Sequence, residues 1–318
     1  MRFLNPKTDF AFKKIFGSQE SGDILISFLN ALLSLQPPHQ IIRVQILDPY
    51  LAPKIKGMKD TYLDVRVEDQ NGRDYIIEMQ VLNVAGLEKR LLYNVCKAYA
   101  NQLQQGEPYD VLTSVVAVTI TDFVMFGELS GQISRFVLRA AENPDVTLDD
   151  LELVFAELPK FHKQEDQLDN IVDKWFYFLK HAGHLASVPK VLEVEPAIRK
   201  AFAMANKAGL TPEELDDQER REMFIQDQRG AITFAEQRGR QAGRQEGIQE
   251  GIQEGIQRGE QKGRQEEAVA ILLALLGYKF GQIAESRIAQ VTGAERDLLE
   301  KWSKKLLFAQ SLDDVFAE

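Results

Sequence analysis

The stretch Thr61–Val81, TYLDVRVEDQNGRDYIIEMQV, contains two strand patterns joined by a turn, and the rest of the predicted fold is built around it. Apolar and polar residues alternate on both sides of the turn, a spacing of two that is typical of half-buried strands. We predict strands over Thr61–Val67 and Tyr75–Val81, paired as a hairpin. In the first strand, the alternation places Leu63 on the same apolar face as Val65.

The length of the turn decides which side chains lie opposite each other. A two-residue loop at Asn71-Gly72 would place Asp64 and Glu78 on different faces of the sheet, whereas the three-residue loop Gln70-Asn71-Gly72 places them opposite each other on one face. The longer loop also superimposes the apolar faces and puts Gly72 where such hairpins require a left-handed residue. We therefore expect Asp64 and Glu78 to be close together, with Gln80 farther along the same face.

The sequence on either side extends the hairpin into a larger α/β core. The other elements predicted here are a helix capped by Thr8 and running through Phe16, a helix over 87–103, a buried strand over 111–121, and two edge strands over 136–139 and 151–158. This order predicts an α/β fold with a mixed β-sheet flanked by helices, followed by a mostly helical C-terminal half. A helix should begin at Thr211-Pro212, where an N-cap, a proline and a capping-box Glu coincide.

A glycine repeat interrupts the C-terminal half. Seven glycines recur at every fourth residue from Gly239 to Gly263, and Ile248, Ile252 and Ile256 each follow one of them. Each Gly costs a helix about 1 kcal/mol relative to Ala, so packing against another backbone would have to stabilise a helix here. The repeat is either a helical arm for self-association, which would make the protein a homo-oligomer, or a flexible tether.

These patterns predict four segments. They are an α/β core over 1–165, a helical extension over 166–228, a Gly-x-x-x arm over 229–267 that is helical or flexible, and a helical cap over 268–318. The net charge of −10 belongs mainly to 126–228, where 20 acidic residues face 12 basic ones. No dense basic stripe of the kind that phosphate contacts favour is present, so charge alone leaves nucleic-acid binding open.

Composition also limits the cellular setting. The single cysteine, Cys96, cannot form an internal disulfide, and no apolar run reaches the roughly 18 residues that a membrane span needs. Charged residues interrupt the N-terminus, unlike a signal peptide. We expect a cytoplasmic protein with no membrane partner.

The expected proximity of Asp64 and Glu78 points to metal chemistry. Two neighbouring carboxylates repel each other, and Mg²⁺ or Mn²⁺ prefers oxygen ligands. A cation bound there could activate water and stabilise the charge on a phosphodiester during displacement. The alternative is a solvated, charged sheet face, which is common in proteins.

A family resemblance makes this reading more specific. Asp64 followed by Glu78-Met79-Gln80 resembles the Asp…(Glu/Asp)-x-Lys signature of the PD-(D/E)XK, restriction-endonuclease-like nuclease superfamily, with Gln80 at the position of Lys. The opening DFAFKKIFG at Asp9–Gly17 is similar to the start of the Rpn family of recombination-promoting nucleases and putative transposases. Further similar stretches are Lys89–Tyr93, Gly106–Tyr109, Glu157–Phe161, and the glycine arm with its helical tail, so the resemblance spans nearly the whole chain.

The resemblance implies a Mg²⁺- or Mn²⁺-dependent DNA endonuclease that promotes recombination or transposition. Asp64, Glu78 and the main-chain carbonyl of Met79 would bind the metal. Gln80 would orient the attacking water but lacks the charge of the usual Lys. A catalytically silent DNA-binding or assembly protein with the same fold is the alternative, and an enzyme acting on RNA is a third possibility.

Substrate contacts are expected on two helices. Arg90, Asn94 and Lys97 share one face of the predicted helix over 87–103, and Tyr93 is adjacent. If this face overlooks the carboxylates, Arg90 or Lys97 contacts the scissile phosphate; otherwise it is a solvated face. Asp9 and Lys13, four residues apart, either form a local ion pair or reach the site.

Overall fold

The computed structural model describes residues 2–52 and 59–317. In chain order the first elements are α1 (Asp9–Phe16), α2 (Gly22–Leu32), β1 (Val44–Ile46), β2 (Tyr50–Leu51), β3 (Thr61–Tyr62), β4 (Val65–Asp69), β5 (Asp74–Gln80) and α3 (Leu87–Asn101). They are followed by β6 (Val115–Thr121), β7 (Ile133–Arg139), β8 (Thr147–Glu157), α4 (Ile171–His181), α5 (Lys190–Glu193) and α6 (Pro196–Met204). The last elements are α7 (Pro212–Phe280), α8 (Glu285–Thr292), α9 (Arg296–Leu306) and α10 (Leu312–Phe316).

A six-stranded mixed sheet forms the centre, in the order β1-β4-β5-β6-β8-β7. Strands β5, β6 and β8 are parallel to one another, while the β1–β4, β4–β5 and β7–β8 pairs are antiparallel. The predicted mixed sheet with flanking helices is confirmed. The prediction of two edge strands is wrong for β8, which lies between β6 and β7, because its apolar second half supplies the buried partner that β6 needs on that side.

The two faces of the sheet are covered differently. Helices α1, α2, α4 and α6 pack on one face around large aromatic side chains that include Phe16, Phe28 and Trp175. Helix α3 covers part of the other face, where Val95 and Ala98 pack on strands β5 and β6. The polar side chains of β5 include Glu78 and Gln80, which lie on the face that α3 partly covers.

The predicted strand over Thr61–Val67 is broken in the structure. Residues Thr61–Tyr62 pair with β2 in a separate two-stranded sheet, and the main sheet resumes at Val65. Leu63 is buried in the cluster beneath α3, not in the cluster that contains Val65, so the prediction of a shared face is wrong. The break frees Asp64 from the regular ladder.

The chain divides into two compact units, residues 1–231 and 232–318. In the first unit, helix α7 begins at the predicted capping box, in which Thr211 N–H donates to Glu214 Oε2 (2.9 Å) and Glu214 N–H donates to Thr211 Oγ1 (3.2 Å). In the second unit, the glycine repeat is helical and exposed, and a Cβ atom added at any of its seven glycines would meet no neighbouring atom within 4 Å.

The end of the second unit has its own apolar core. Leu272 and Leu276 of α7 pack with Val291, Leu299 and Trp302 from the short helices that follow. Across the described residues, none of the helices is both long and apolar enough to cross a membrane.

Candidate active site

The β4–β5 hairpin places Asp64 and Glu78 side by side. Val65 pairs with Ile77, and the same register continued by one residue sets Asp64 opposite Glu78. The loop has three residues, and Gly72 adopts a left-handed φ of 78° at its last position. The predicted register is therefore confirmed, and the turn provides its physical basis.

Asp64 lies where the β4–β5 ladder ends. Its Oδ2 accepts the N–H of Met79 at 2.9 Å, so this carboxylate takes the place of a strand carbonyl. Lys13 Nζ lies 3.6 Å from Asp64 Oδ1. Burial raises the pKa of Asp64 above its ordinary value, and the Met79 hydrogen bond and the Lys13 charge oppose that shift without cancelling it.

Glu78 is almost fully buried and bonds to neutral side chains. Its Oε1 accepts from Asn94 Nδ2 at 3.2 Å, and its Oε2 accepts from Gln80 Nε2 at 2.9 Å. Burial, and secondly the charge of Asp64, raise the pKa of Glu78 to about 7, while the charge of Arg90 and the two amide bonds oppose the shift. This carboxyl thus carries an unfavourable charge when ionised.

Gln80 links Glu78 to a cation on helix α3. Arg90 Nη2 donates to Gln80 Oε1 at 2.8 Å, and the Gln80 amide donates onward to Glu78. Arg90 and Asn94 are four residues apart on α3, so both reach the same side of the helix. The predicted helix face is therefore not simply solvated, since Asn94 bonds to Glu78 directly and Arg90 bonds to Gln80 beside it.

Lys97 has a different position from Arg90. Its side chain is buried, and Nζ donates to the Lys59 carbonyl at 2.6 Å and to Thr61 Oγ1 at 3.2 Å. It is not among the residues that line the cleft described below. Its ammonium group bonds to the segment before Leu63, and a phosphate contact by Lys97 stays a prediction.

Asp9 and Lys13 satisfy both alternatives considered from the sequence. They form the local ion pair at 2.7 Å, and Lys13 also reaches Asp64. Arg221 of α7 pairs with Asp9 at 2.9 Å. The first turns of that helix therefore contribute a charge to the same series of ion pairs.

An open cleft of about 780 Å³ is lined in part by the acidic pair. Its lining comprises Lys59, Asp60, Thr61, Tyr62, Asp64, Glu78, Gln80, Ala85, Gly86, Lys89, Arg90, Tyr93 and Asn94. Sequence reasoning had placed Asn94 on the correct helix face without assigning it to the site, and it missed Lys59, Lys89 and Tyr62 as lining residues. The alternation in the first predicted strand puts Tyr62 on the same face as Asp64, and this pattern could have indicated that Tyr62 lines the cleft.

The oxygen atoms at this site suit a hard cation that takes few ligands from the protein. In an extended strand the N–H and C=O of one residue point to the same edge, so the Met79 carbonyl shares the edge at which its N–H meets Asp64. Two carboxylates and one carbonyl match the way Mg²⁺ binds proteins, with water completing its shell. Within residues 2–52 and 59–317, no group of three or more His, Cys, Asp or Glu side chains is arranged to hold a metal.

Comparison with known families gives one match that covers most of the chain. A family model described as PD-(D/E)XK nuclease family transposase matches residues 6–235, which is most of the chain and includes the whole sheet and the cleft. No curated protein and no solved structure gives a significant match. The mixed sheet and its helices are a restriction-endonuclease-like α/β fold.

Proposed function

This chain belongs to the PD-(D/E)XK nuclease family of transposases, and on that basis we propose that it is a Mg²⁺- or Mn²⁺-dependent DNA endonuclease acting in recombination or transposition. The reaction is hydrolysis of a phosphodiester by activated water. One observation carries the proposal: Asp64 and Glu78 converge at the floor of an open cleft, and the pKa of each is raised by burial.

The acidic pair lowers the stability of the folded chain unless a cation binds to it. Burial raises the pKa of both carboxyls, and the charge of Asp64 raises that of Glu78 further, so the folded chain is destabilised when both ionise. Asp64, Glu78 and the Met79 carbonyl are the atoms that would hold a divalent cation. Such a cation would activate water and neutralise charge on the phosphodiester.

The neighbouring residues would orient the site and the substrate. Gln80 and Asn94 fix the two oxygens of Glu78 through hydrogen bonds of 2.9 and 3.2 Å. Arg90 supplies a positive charge near the position at which the family carries Lys, and its exposure lets it contact a phosphate. Tyr93 and Lys89 line the same cleft, and Lys13 balances the charge of Asp64.

Plasmid cleavage tests this function directly. Purified protein is incubated with supercoiled plasmid in Mg²⁺, in Mn²⁺ or in EDTA, beside Asp64→Asn and Glu78→Gln. We expect metal-dependent nicking that falls at least about 100-fold in either variant, because a charge-stabilising group at the reacting centre is lost. Glu88→Gln is the matched control, since Glu88 is an exposed carboxylate on α3 outside the cleft.

Two results would contradict the proposal. Cleavage that persists in EDTA, or in both variants, would show that the acidic pair does not do the chemistry. Folded wild-type protein that binds DNA in a gel-shift titration but does not cleave it would instead indicate a DNA-binding protein that keeps the nuclease fold. A parallel RNA substrate tests the choice of polymer.

Self-association through the glycine arm belongs to the same proposal. Ile248, Ile252 and Ile256 lie exposed along the helix at four-residue spacing, next to glycines that leave room for another backbone. Deleting Gly247–Glu254 removes two repeats. A solution mass that falls to that of a monomer in light scattering supports an oligomer formed by the arm, and an unchanged mass contradicts it.

A further inference from the structure

Tyr62 is an exposed aromatic side chain on the wall of the cleft. It is 74% exposed, whereas its neighbours Thr61 and Leu63 are buried. Its ring stacks on that of Tyr50, with centroids 4.8 Å apart and an interplanar angle of 30°. One face of the Tyr62 ring is therefore backed by Tyr50 while the side chain as a whole faces the cleft and solvent.

The Tyr50–Tyr62 pair is held in place from several sides. The two residues are direct partners in the β2–β3 ladder. The Tyr50 hydroxyl donates to Asp60 Oδ1 at 2.8 Å, and the Tyr50 N–H donates to Asp48 Oδ1 at 2.9 Å. The buried ammonium of Lys97 fixes the chain just before Tyr62. The stacked rings of Tyr50 and Tyr62 therefore form a platform that is ordered before any ligand arrives, which lowers the entropic cost of binding.

The platform lies next to the proposed metal ligands. Only Leu63 lies between Tyr62 and Asp64 in the chain, so the Cα atoms of these two residues are at most about 7 Å apart. Lys59, Lys89 and Arg90 line the same cleft and supply positive charge. A flat ring beside cations and a carboxylate pair matches a nucleotide, which presents a π-face and a phosphate together.

We propose that Tyr62, backed by Tyr50, stacks an unpaired nucleobase beside the phosphodiester at Asp64 and Glu78, so that the cleft takes single-stranded or locally unpaired nucleic acid in preference to intact duplex. This inference rests on the proposed nuclease function. Inside a duplex both faces of each base are covered by neighbouring pairs, so a protein ring reaches a base face only where the stack is interrupted.

Equilibrium binding in EDTA separates base stacking from cleavage. The probe is a 12-nucleotide single strand of DNA carrying one 2-aminopurine, compared with the same strand in a blunt duplex. We expect wild-type protein to bind the single strand more tightly and to quench its fluorescence. Tyr62→Ala should weaken single-strand binding by about 10-fold or more, abolish the quenching and leave duplex binding unchanged, in line with base–aromatic stacking elsewhere.

Two variants control this experiment. Tyr62→Phe keeps the ring and should behave as wild type, which also shows that the position tolerates substitution. Tyr109→Ala removes a tyrosine that is 81% exposed but lies outside the cleft, and should change nothing. Thermal melting of each variant confirms that it is folded.

The outcomes distinguish the platform from the nuclease. If wild-type protein nicks plasmid with Mg²⁺ but Tyr62→Ala binds and quenches the single strand as wild type does, the platform is overturned and the nuclease is retained. Tighter binding of the duplex by wild-type protein also overturns it. If wild-type protein neither binds nor cleaves any nucleic acid, both proposals fail.

Discussion

Glu78 and Glu157 are both buried glutamates near the carboxyl ends of parallel strands, but their hydrogen-bond and charge partners differ. Glu157, which ends β8, accepts from Lys160 Nζ at 2.5 Å and from the N–H groups of Met125 and Phe126 at 2.6 and 3.1 Å. Lys160 in turn donates to the carbonyls of Phe126 and Leu129. Glu78 in β5 has two neutral amides as its hydrogen-bond partners and faces an open cleft.

The difference separates a structural carboxylate, Glu157, from Glu78, which we propose to be functional. The Glu157–Lys160 pair closes the loop after β6, and the lysine supplies a full positive charge to the carboxylate. Glu78 keeps a charge that the surrounding residues only partly offset, and a second carboxylate lies beside it. A buried acid with incomplete compensation in a cleft marks a binding site, whereas a fully paired one marks architecture.

The largest effect should come from Glu157→Gln, and it should be on stability. Removing one partner of a buried pair leaves the Lys160 ammonium uncompensated, so we expect a loss of about 3 kcal/mol or more in the free energy of unfolding, measured by urea denaturation. Asp216→Asn, which breaks the exposed Arg220–Asp216 pair, should leave stability nearly unchanged. Equal effects from both variants would contradict a structural role for Glu157.

Glu78→Gln should show the reverse pattern. Cleavage should fall at least about 100-fold while the melting temperature stays the same or rises, because a repelling buried charge is removed. Plasmid nicking and thermal melting on the same preparation check both halves of this expectation. A variant that melts well below wild type would place Glu78 in the same structural class as Glu157.

The pH dependence of stability should depend on Glu78 in metal-free protein. Its pKa is raised from 4.5 to about 7 in the folded chain, so the folded state binds the extra proton between these values. The resulting stabilisation is complete below pH 4.5 and is lost as the pH rises through 7. Melting curves in EDTA should show that wild-type protein loses stability relative to Glu78→Gln across this window.

Added Mg²⁺ should affect the stability of wild-type protein and of Glu78→Gln differently. A ligand that binds only the folded state raises its stability, so Mg²⁺ should raise the melting temperature of wild-type protein above pH 7. Glu78→Gln, which lacks one proposed ligand, should show a smaller rise. The same increase in both proteins would place the metal elsewhere.

The smallest effect should come from Gln80→Lys. A lysine there would restore positive charge beside Glu78, so cleavage should be preserved or raised by up to about 10-fold. Gln80→Leu, which removes the bonds to both Arg90 and Glu78, should instead lower cleavage about 10- to 100-fold, as is usual for residues that orient metal ligands. Complete loss of cleavage in Gln80→Lys would contradict a position for residue 80 near the phosphate.

Local features of the fold could be predicted from the sequence. The alternation around the turn and the left-handed requirement at Gly72 together set the register of Asp64 and Glu78. Thr8 caps α1 by accepting the N–H of Ala11, as its position before an apolar run predicts. These features depend on residues a few positions apart, so the chain itself supplies both partners.

The details of the site could not be predicted in the same way. The break before Val65 depends on Leu63 packing beneath α3 and on Lys97, which is 36 residues from Thr61 in the chain. The same contact gives the Lys97 ammonium a partner that no sequence pattern predicts. Tyr50 was outside the predicted strands, so its stacking on Tyr62 had no counterpart in the sequence pattern.

The amino-acid sequence is sufficient to predict the hairpin, the helix starts and the proximity of the two carboxylates, because hydrophobic alternation, turn geometry and capping act over short separations. Which buried acid receives a counter-charge depends on contacts made in the folded chain. That outcome depends on the water excluded and the groups delivered by distant segments: Asn94 reaches Glu78 from another element, and Met125 and Phe126 reach Glu157 across more than 30 residues. The electrostatic state of a carboxylate is a property of its surroundings rather than of its position in the chain.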